Sequence, residues 1–332
     1  MEVDDEEKGK TPSIQRPMAD SSSPLAERHV QPIFMKSFVL SGLLIGAIFG
    51  LRAAWRDLPD RAPQTPAAVA ISFVDVPDTE DWSPLRLVGR WRMQAPDPRL
   101  AGLSALGADG GELLAVSDAG SIVQFPKPGA GGLARFVDLP SGPGAATYKS
   151  GRDSEALVAD PRGRGWWIGF ENGDEVRLFD PLFQTTIDVI SLRGLDWHHN
   201  RGIEALTIES GAVTAYPEDA RDRISIGSEG PVRSAQDGAL ERLADIASLP
   251  GGGQVAISRS LTPLGVRSRL MVRDRPGGEW RLLMRLPVGR LTIPEGIVAE
   301  ARANGIVRLW MVTDNDFRRR VPTELIAVDW KP

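Results

Sequence analysis

The chain has 332 residues, 42% of them hydrophobic and 25% charged, with a net charge of -5 and no cysteine. Length and apolar content allow one large folded domain or two small ones. The negative balance argues against a nucleic-acid partner, and the missing thiols exclude disulfides, thiolate metal centres, a cysteine nucleophile and a lipoprotein anchor.

Residues 1–34 are acidic, rich in Ser and Pro and without periodicity, which predicts a disordered tail. Met35-Lys36 is an alternative start, because Met-Lys before an apolar run is how a secretory signal opens. The run itself, SFVLSGLLIGAIFGL over 37–51, is uncharged and closed by Arg52 and Arg56. It is short of the ~20 residues of a full span and suits a signal peptide or signal anchor better than a buried core helix. No small-x-small cleavage site lies close behind it, since Ala68-Val69-Ala70 stands well downstream. One hydrophobic helix over 35–52 is therefore predicted, with an uncleaved anchor favoured over a cleaved signal. That would hold the protein to the periplasmic side of a bacterial inner membrane, or release it into the periplasm if cleaved. Residues 53–70 read as a Pro/Ala-rich linker, and 71–332 as the folded domain.

From residue 71 onward the chain is a succession of short strands punctuated by Gly, Pro and Asp-Gly, such as ELLAVSD, WWIGFE, EVRLFD, QVAISRS and RLWMVTD. No long helical period follows residue 51, so an all-β fold is expected. Related phrases recur at a spacing of about 40–50 residues: GLSALG (102–107), DSEALVAD (153–160), GIEALTIE (202–209), RLADIAS (242–248) and PEGIVAE (294–300). Each is followed by a turn and a second strand. This is the signature of a β-propeller with five or six four-stranded blades, the unit around 203–240 leaving the count open. The chain ends on ELIAVDW (324–330), a third strand without a fourth, while LRLVGRWRM (85–93) precedes the first unit without a blade. The N-terminal strand is expected to complete the last blade and close the ring.

In such a blade the first strand lines the central channel and the second runs antiparallel beside it. The start of the first and the end of the second then share one face. Glu155 with Glu171, Glu204 with Glu218, and Glu295 with Asp314 and Asp316 should converge on one mouth. Asp118 and Arg259 hold the second-strand positions of the other units, and Ser104 and Asp245 hold or neighbour the first-strand positions. Gathered carboxylates repel, so a hard cation such as Ca²⁺, the guanidinium groups of Arg152 and Arg259, or protonation must offset them. For any single acid, a hydrated turn-capping role is an equal alternative.

The phrases RDSEAL, WWIGFE, GIEAL, ISRS, PEGI and VTDND together resemble the phytase-like family labelled "esterase-like activity of phytase", related in architecture to the calcium-dependent β-propeller phytases. The resemblance spans about residues 85–330. It implies ester or phosphoester hydrolysis, with motif positions at Asp118, Arg152, Asp153, Glu155, Glu171, Glu204, Glu218, Arg259, Glu295, Asp314, Asn315 and Asp316. The first unit departs from the pattern with Ser104 and the fourth with Arg259. No Lys/Arg/Tyr set clearly matches the phosphate clamp of true phytases, although Tyr148, Lys149, Arg152 and Arg259 supply part of one.

Other chemistries are less well supported. GLSAL is not a nucleophile elbow. His198 and His199 lie in WHHN (197–200) before the Glu204 strand, where one is a candidate base or ligand and a solvated pair is the plainer reading. The tryptophans are expected to pack between blades, with Trp82, Trp91 and Trp197 as candidates for a ligand face. The expected function is a metal-dependent hydrolase of a phosphoester or related ester acting at the acidic mouth. Glu155, Glu171, Arg152 and Arg259 form the catalytic set. Glu155, Glu204, Glu295, Asp314 and Asp316 hold Ca²⁺ or another divalent cation. Asp118, Asp153, Glu218, Asn315, His198 and His199 are further candidates. The expected partners are a small anionic or ester substrate and the membrane, through the N-terminal helix, with a monomeric propeller. The alternative is a non-catalytic envelope propeller that binds a ligand or protein partner. A lactonase-like reading needs the same metal.

Overall fold

The computed structural model describes residues 64–332, apart from 148, 196–201, 237, 239, 264, 290–291 and 319. The apolar run at 37–51, Trp197, His198 and His199 lie outside the described residues. Among those described, no helix is long and apolar enough to cross a membrane.

Strands account for almost all regular structure. Three come first: β1 (Ala67–Ala70), β2 (Ser72–Asp75) and β3 (Arg86–Gln94). Four-strand units follow. The first is β4 (Leu103–Asp109), β5 (Glu112–Ser117), β6 (Ser121–Pro126) and β7 (Leu133–Asp138). The second is β8 (Ser154–Ala159), β9 (Trp166–Phe170), β10 (Glu175–Phe179) and β11 (Thr186–Ser191). The third is β12 (Ile203–Glu209), β13 (Ala212–Pro217), β14 (Asp222–Gly227) and β15 (Gly230–Ala235). The fourth is β16 (Leu243–Ser248), β17 (Gln254–Thr262), β18 (Gly265–Arg273) and β19 (Arg281–Arg285). The chain ends with β20 (Ile293–Ala301), β21 (Val307–Asp314) and β22 (Glu324–Trp330).

Each unit is an antiparallel meander, and the five sheets are the blades of a five-bladed propeller. The strands β4, β8, β12, β16 and β20 contact one another in a closed cycle and line the centre. The last blade is completed as expected: β3 pairs with β22, so the N-terminal segment supplies the missing fourth strand. This removes the open edge that β22 would otherwise present. Two further strands extend the outer edges. β2 pairs with β3, and β1 pairs with β7 of the first blade. β1 falls inside 53–70, the stretch expected to be linker, so the folded body begins before residue 71. Its four residues, AAVA, are too few and too uniform to show a period-2 signal.

Five apolar clusters hold the ring together, one between each neighbouring pair of blades. Adjacent side chains on a strand face opposite ways, so a strand packed on both sides reads as a continuous apolar run. WWIGF in β9 is buried throughout for this reason. Trp166 enters the cluster between the first two blades and Trp167 the next one. Trp310 and Trp330 also pack between blades. The two candidates for a ligand face that are described pack instead in the body: Trp82 is buried in the cluster between the fourth and fifth blades, and Trp91 stacks on Trp310 at 6.3 Å.

Candidate functional site

The inner strands share one irregularity. In each, pairing with the second strand skips one residue near the start: Ser104, Glu155, Glu204, Ala244 and Glu295. A bulge leaves the extra residue out of the ladder and re-aims its side chain. Five equivalent bulges thus set three glutamates, a serine and an alanine around one end of the ring. The residue just past the equivalent point on the second strand is Asp118, Glu171, Glu218, Arg259 or Asp314. Backbone hydrogen bonds fix these ends: Asp118 N–H donates to Gly102 O, Glu171 N–H to Asp153 O and Arg259 N–H to Arg242 O. The glycine before two of the inner strands makes room for a carboxylate. A Cβ on Gly102 would lie 2.6 Å from Asp118 Oδ1, and one on Gly202 would lie 2.1 Å from Glu171 Cγ. Gly102 also has φ of 62°, which other residues rarely adopt.

The mouth is not one undivided acidic ring. On the side of the first two blades, Lys149 in the short 3-10 turn Lys149–Gly151 sits against Asp118, with Nζ 2.9 Å from Oδ2, and bonds Asp153. Asp153 also accepts from Asn172 Nδ2 at 2.7 Å. Oxygens of Asp118, Asp153 and Glu155 lie within 4.8 Å of one another, a donor set that suits a hard cation. On the other side, Arg259 bonds Glu295 and lies 3.6 Å from Glu204. Glu218 is paired with Arg242 at 3.6 Å, and Asp316 with Arg318 at 2.6 Å.

The sequence-derived candidates separate on these contacts. Glu155, Glu204 and Glu295 share the mouth, with Asp118, Asp153, Glu171, Arg259 and Asp314. Of the expected cation ligands, Glu204 and Glu295 engage Arg259, and Asp316 engages Arg318. Asp118 and Asp153, which were expected only as further candidates, join Glu155 in the one close carboxylate group among the described residues. Asn315 shapes the loop: its Oδ1 accepts from Gly102 N–H and Phe317 N–H, each at 3.1 Å, tying the last blade to the first. Asp314 accepts from Asp316 N–H at 2.6 Å. Arg152 bonds the carbonyls of Gly144 and Gly151 and contacts none of the mouth carboxylates. Ser104 donates to Ser154 O at 2.6 Å and is buried, a strand tie rather than a nucleophile. Asp245 is buried in the channel wall, where Ile246 N–H and Ile297 N–H each donate to it at 2.8 Å. Lys149 was visible in the sequence as the cation four residues before Asp153, but nothing local showed that it would reach Asp118 on another blade.

Burial and mutual repulsion raise the affinity of these acids for protons. Burial, with Asp314 and Asp153 nearby, lifts Asp118 to about 7 against the pull of Lys149. Burial and Asp153 bring Glu171 to about 7. Burial lifts Glu204 to about 8, with Glu295 and Glu218 adding to it and Arg259 opposing. Burial and Glu295 lift Asp314 to about 7. Glu155 is raised well above the usual carboxylate range by burial, Asp118 and Glu204, and Glu295 is raised by burial despite Arg259. Lys149 and Arg259 are held in their charged forms: the surrounding carboxylates outweigh the burial that works against them.

Fold and site define a five-bladed β-propeller with a carboxylate-lined, cation-bridged mouth. The family described as phytase-like, "esterase-like activity of phytase", matches residues 98–317, more than half of the chain, and the chain belongs to it. Solved structures of similar shape include the glutaminyl cyclase of Myxococcus xanthus, at 10% identity and TM-score 0.48 over 74% of this chain and 96% of that one. Another is the catalytic domain of the Coprinopsis cinerea GH62 α-L-arabinofuranosidase, at 13% identity and TM-score 0.41 over 79% and 98%. The curated proteins compared with the chain include no match.

Proposed function

We propose that the mouth is a hydrolytic site for a phosphoester or related anionic ester, with Asp118, Asp153 and Glu155 holding a hard divalent cation. The observation that carries this reading is the convergence of three carboxylate oxygens within 4.8 Å. Asp118 Oδ1 is in addition buried without a hydrogen-bond partner in the protein, which leaves its lone pairs to a cation. A cation there supplies Lewis-acid polarisation of an ester oxygen and a more acidic water.

The chain's own groups do the rest. Lys149 and a divalent cation would compete for the same two carboxylates, Asp118 and Asp153, so a loaded site would free the ammonium for the substrate. Arg259, held by Glu204 and Glu295, keeps a buried Nε without a partner and offers a fixed positive charge to an anionic ester. Glu171, near 7, is poised to give a proton to the leaving oxygen and recover it near neutrality. The run at 37–51 fits an anchor that would hold this mouth in the periplasm.

The test is turnover of p-nitrophenyl phosphate and carboxylic esters by the full-length protein, in Ca²⁺ and in EDTA. Turnover in Ca²⁺, abolished by EDTA and cut at least 100-fold in Glu155→Gln, supports the hydrolase. One observation favours a second reading: Lys149 and Arg259 already bridge acids on both sides of the mouth, as in a site built only to bind. An intact fold with no turnover on any ester would favour that binder.

A further inference from the structure

A second charged site stands beside the mouth, on the fourth blade. β17 and β18 are nine residues each, against five or six in the middle strands of the first three blades. The extra length carries their hairpin past Arg259, through the pairs Ser260↔Arg267, Leu261↔Val266 and Thr262↔Gly265. β19 ends at Arg285, which pairs with Arg269, so the far end of β18 has no outer strand among the described residues. A cavity of about 510 Å³ lies at this step, lined by Arg267, Arg269, Arg285, Ser260 and Ser268 among others.

Its charge pattern is unfavourable as it stands. Arg267 and Arg269 are two apart and share a face of β18, and Arg285 lies directly opposite Arg269. Like charges directly opposite in a sheet repel. The carboxylate that reaches the group is Glu241, 3.1 Å from Arg269 and itself largely exposed. Among the described residues Arg267 and Arg285 form no ion pair, and Arg269 Nε is buried without a hydrogen-bond partner. Three guanidinium forks around one cavity, with Ser260 opposite Arg267 on the same face, match the several acceptor oxygens of a phosphate group.

We propose that this cavity is a phosphate-binding site for a small soluble phosphorylated ligand, formed by Arg267, Arg269 and Arg285 and separate from the carboxylate mouth. It does not depend on the mouth being hydrolytic. In EDTA the mouth keeps its excess of carboxylates and repels phosphate, so the two sites can be read apart.

The experiment is titration of the full-length protein with inorganic phosphate in EDTA, with chloride at matched ionic strength as control, followed by calorimetry and by the phosphate-induced shift in melting temperature. The expected result is one saturable site per chain, weakened at least tenfold in R267Q/R285Q and unchanged in Glu155→Gln. R285Q alone is expected to melt no lower than the parent without phosphate, because it relieves the repulsion across β18 and β19. It therefore serves as the folded variant if the double substitution does not fold, with a smaller loss of affinity. Equal phosphate binding by the parent and the arginine variants, or none by the parent, would overturn the proposal, whatever the esterase assay shows.

Discussion

Lys149 and Arg259 occupy the centres of two carboxylate groups, and what each side chain does depends on which cation it faces. If Lys149 holds the place of a divalent ion on Asp118 and Asp153, then Lys149→Gln should bind Ca²⁺ about tenfold more tightly than the parent, measured by calcium titration. The same variant should hydrolyse esters more slowly, because the ammonium that turns to the substrate is gone. Unchanged calcium affinity would show that the two do not compete. The raised affinity for protons has a separate consequence. Glu171, Glu204 and Asp314 titrate near 7, 8 and 7 when folded, above the usual carboxyl range of about 4. The folded chain then holds more protons than the unfolded one, so stability falls as pH rises through this interval. Acids with lowered values act elsewhere: burial works against ionised Asp160, but Arg164 and Trp167 outweigh it and hold it to about 2, so its stabilisation is lost only in stronger acid. In EDTA the melting temperature should drop from pH 5 to pH 8, with Ca²⁺ restoring more of it at pH 8. A rise over that interval in EDTA would contradict the account. Much of this residue-scale picture was legible from the repeating acids alone. Arg259 was expected to offset them; which acids it meets, and the reach of Lys149 to Asp118, join distant stretches of the chain, which no local spacing encodes.

At the scale of the strand, the repeated bulge is what turns a sequence repeat into a site. The phrases SEAL, IEAL and PEGI announced that an acid opens three of the inner strands, but not that it stands outside the ladder. An unpaired residue at the second or third position leaves too short a stretch before it to mark apolar periodicity. The same bulge holds Ser104 in the first blade, where the sequence shows a departure from the acidic pattern and the structure shows a tie to β8. Ser104→Val should therefore cost about 1–3 kcal/mol in denaturant unfolding, since it orphans the buried carbonyl of Ser154. Asp245→Ala should cost more than Ser104→Val, because it strips acceptors from the buried N–H groups of Ile246 and Ile297, each worth roughly 1–3 kcal/mol. Stability equal to the parent in either variant would mean that water replaces the lost partner.

The described body is a ring whose closing contact joins β3 to β22. That closure was readable from counting strands: a third strand at the C-terminus and a spare strand before the first blade. The added outer strands were not, since β1 and β2 are four-residue segments that take their shape from the edges they cover. A chain beginning after β3 should lose the cooperative melting transition, because β22 and the two clusters flanking the last blade would be left uncovered. The ring also explains why acids from four blades can meet at one opening, and this convergence underlies the proposed chemistry. The most direct measurement is calcium binding to the full-length protein at pH 8. The account predicts a saturable site, one ion per chain, lost in Asp118→Asn and in Glu155→Gln but retained in Asp316→Asn. A parent that binds no divalent cation at millimolar concentration, or whose binding survives both substitutions, would contradict it.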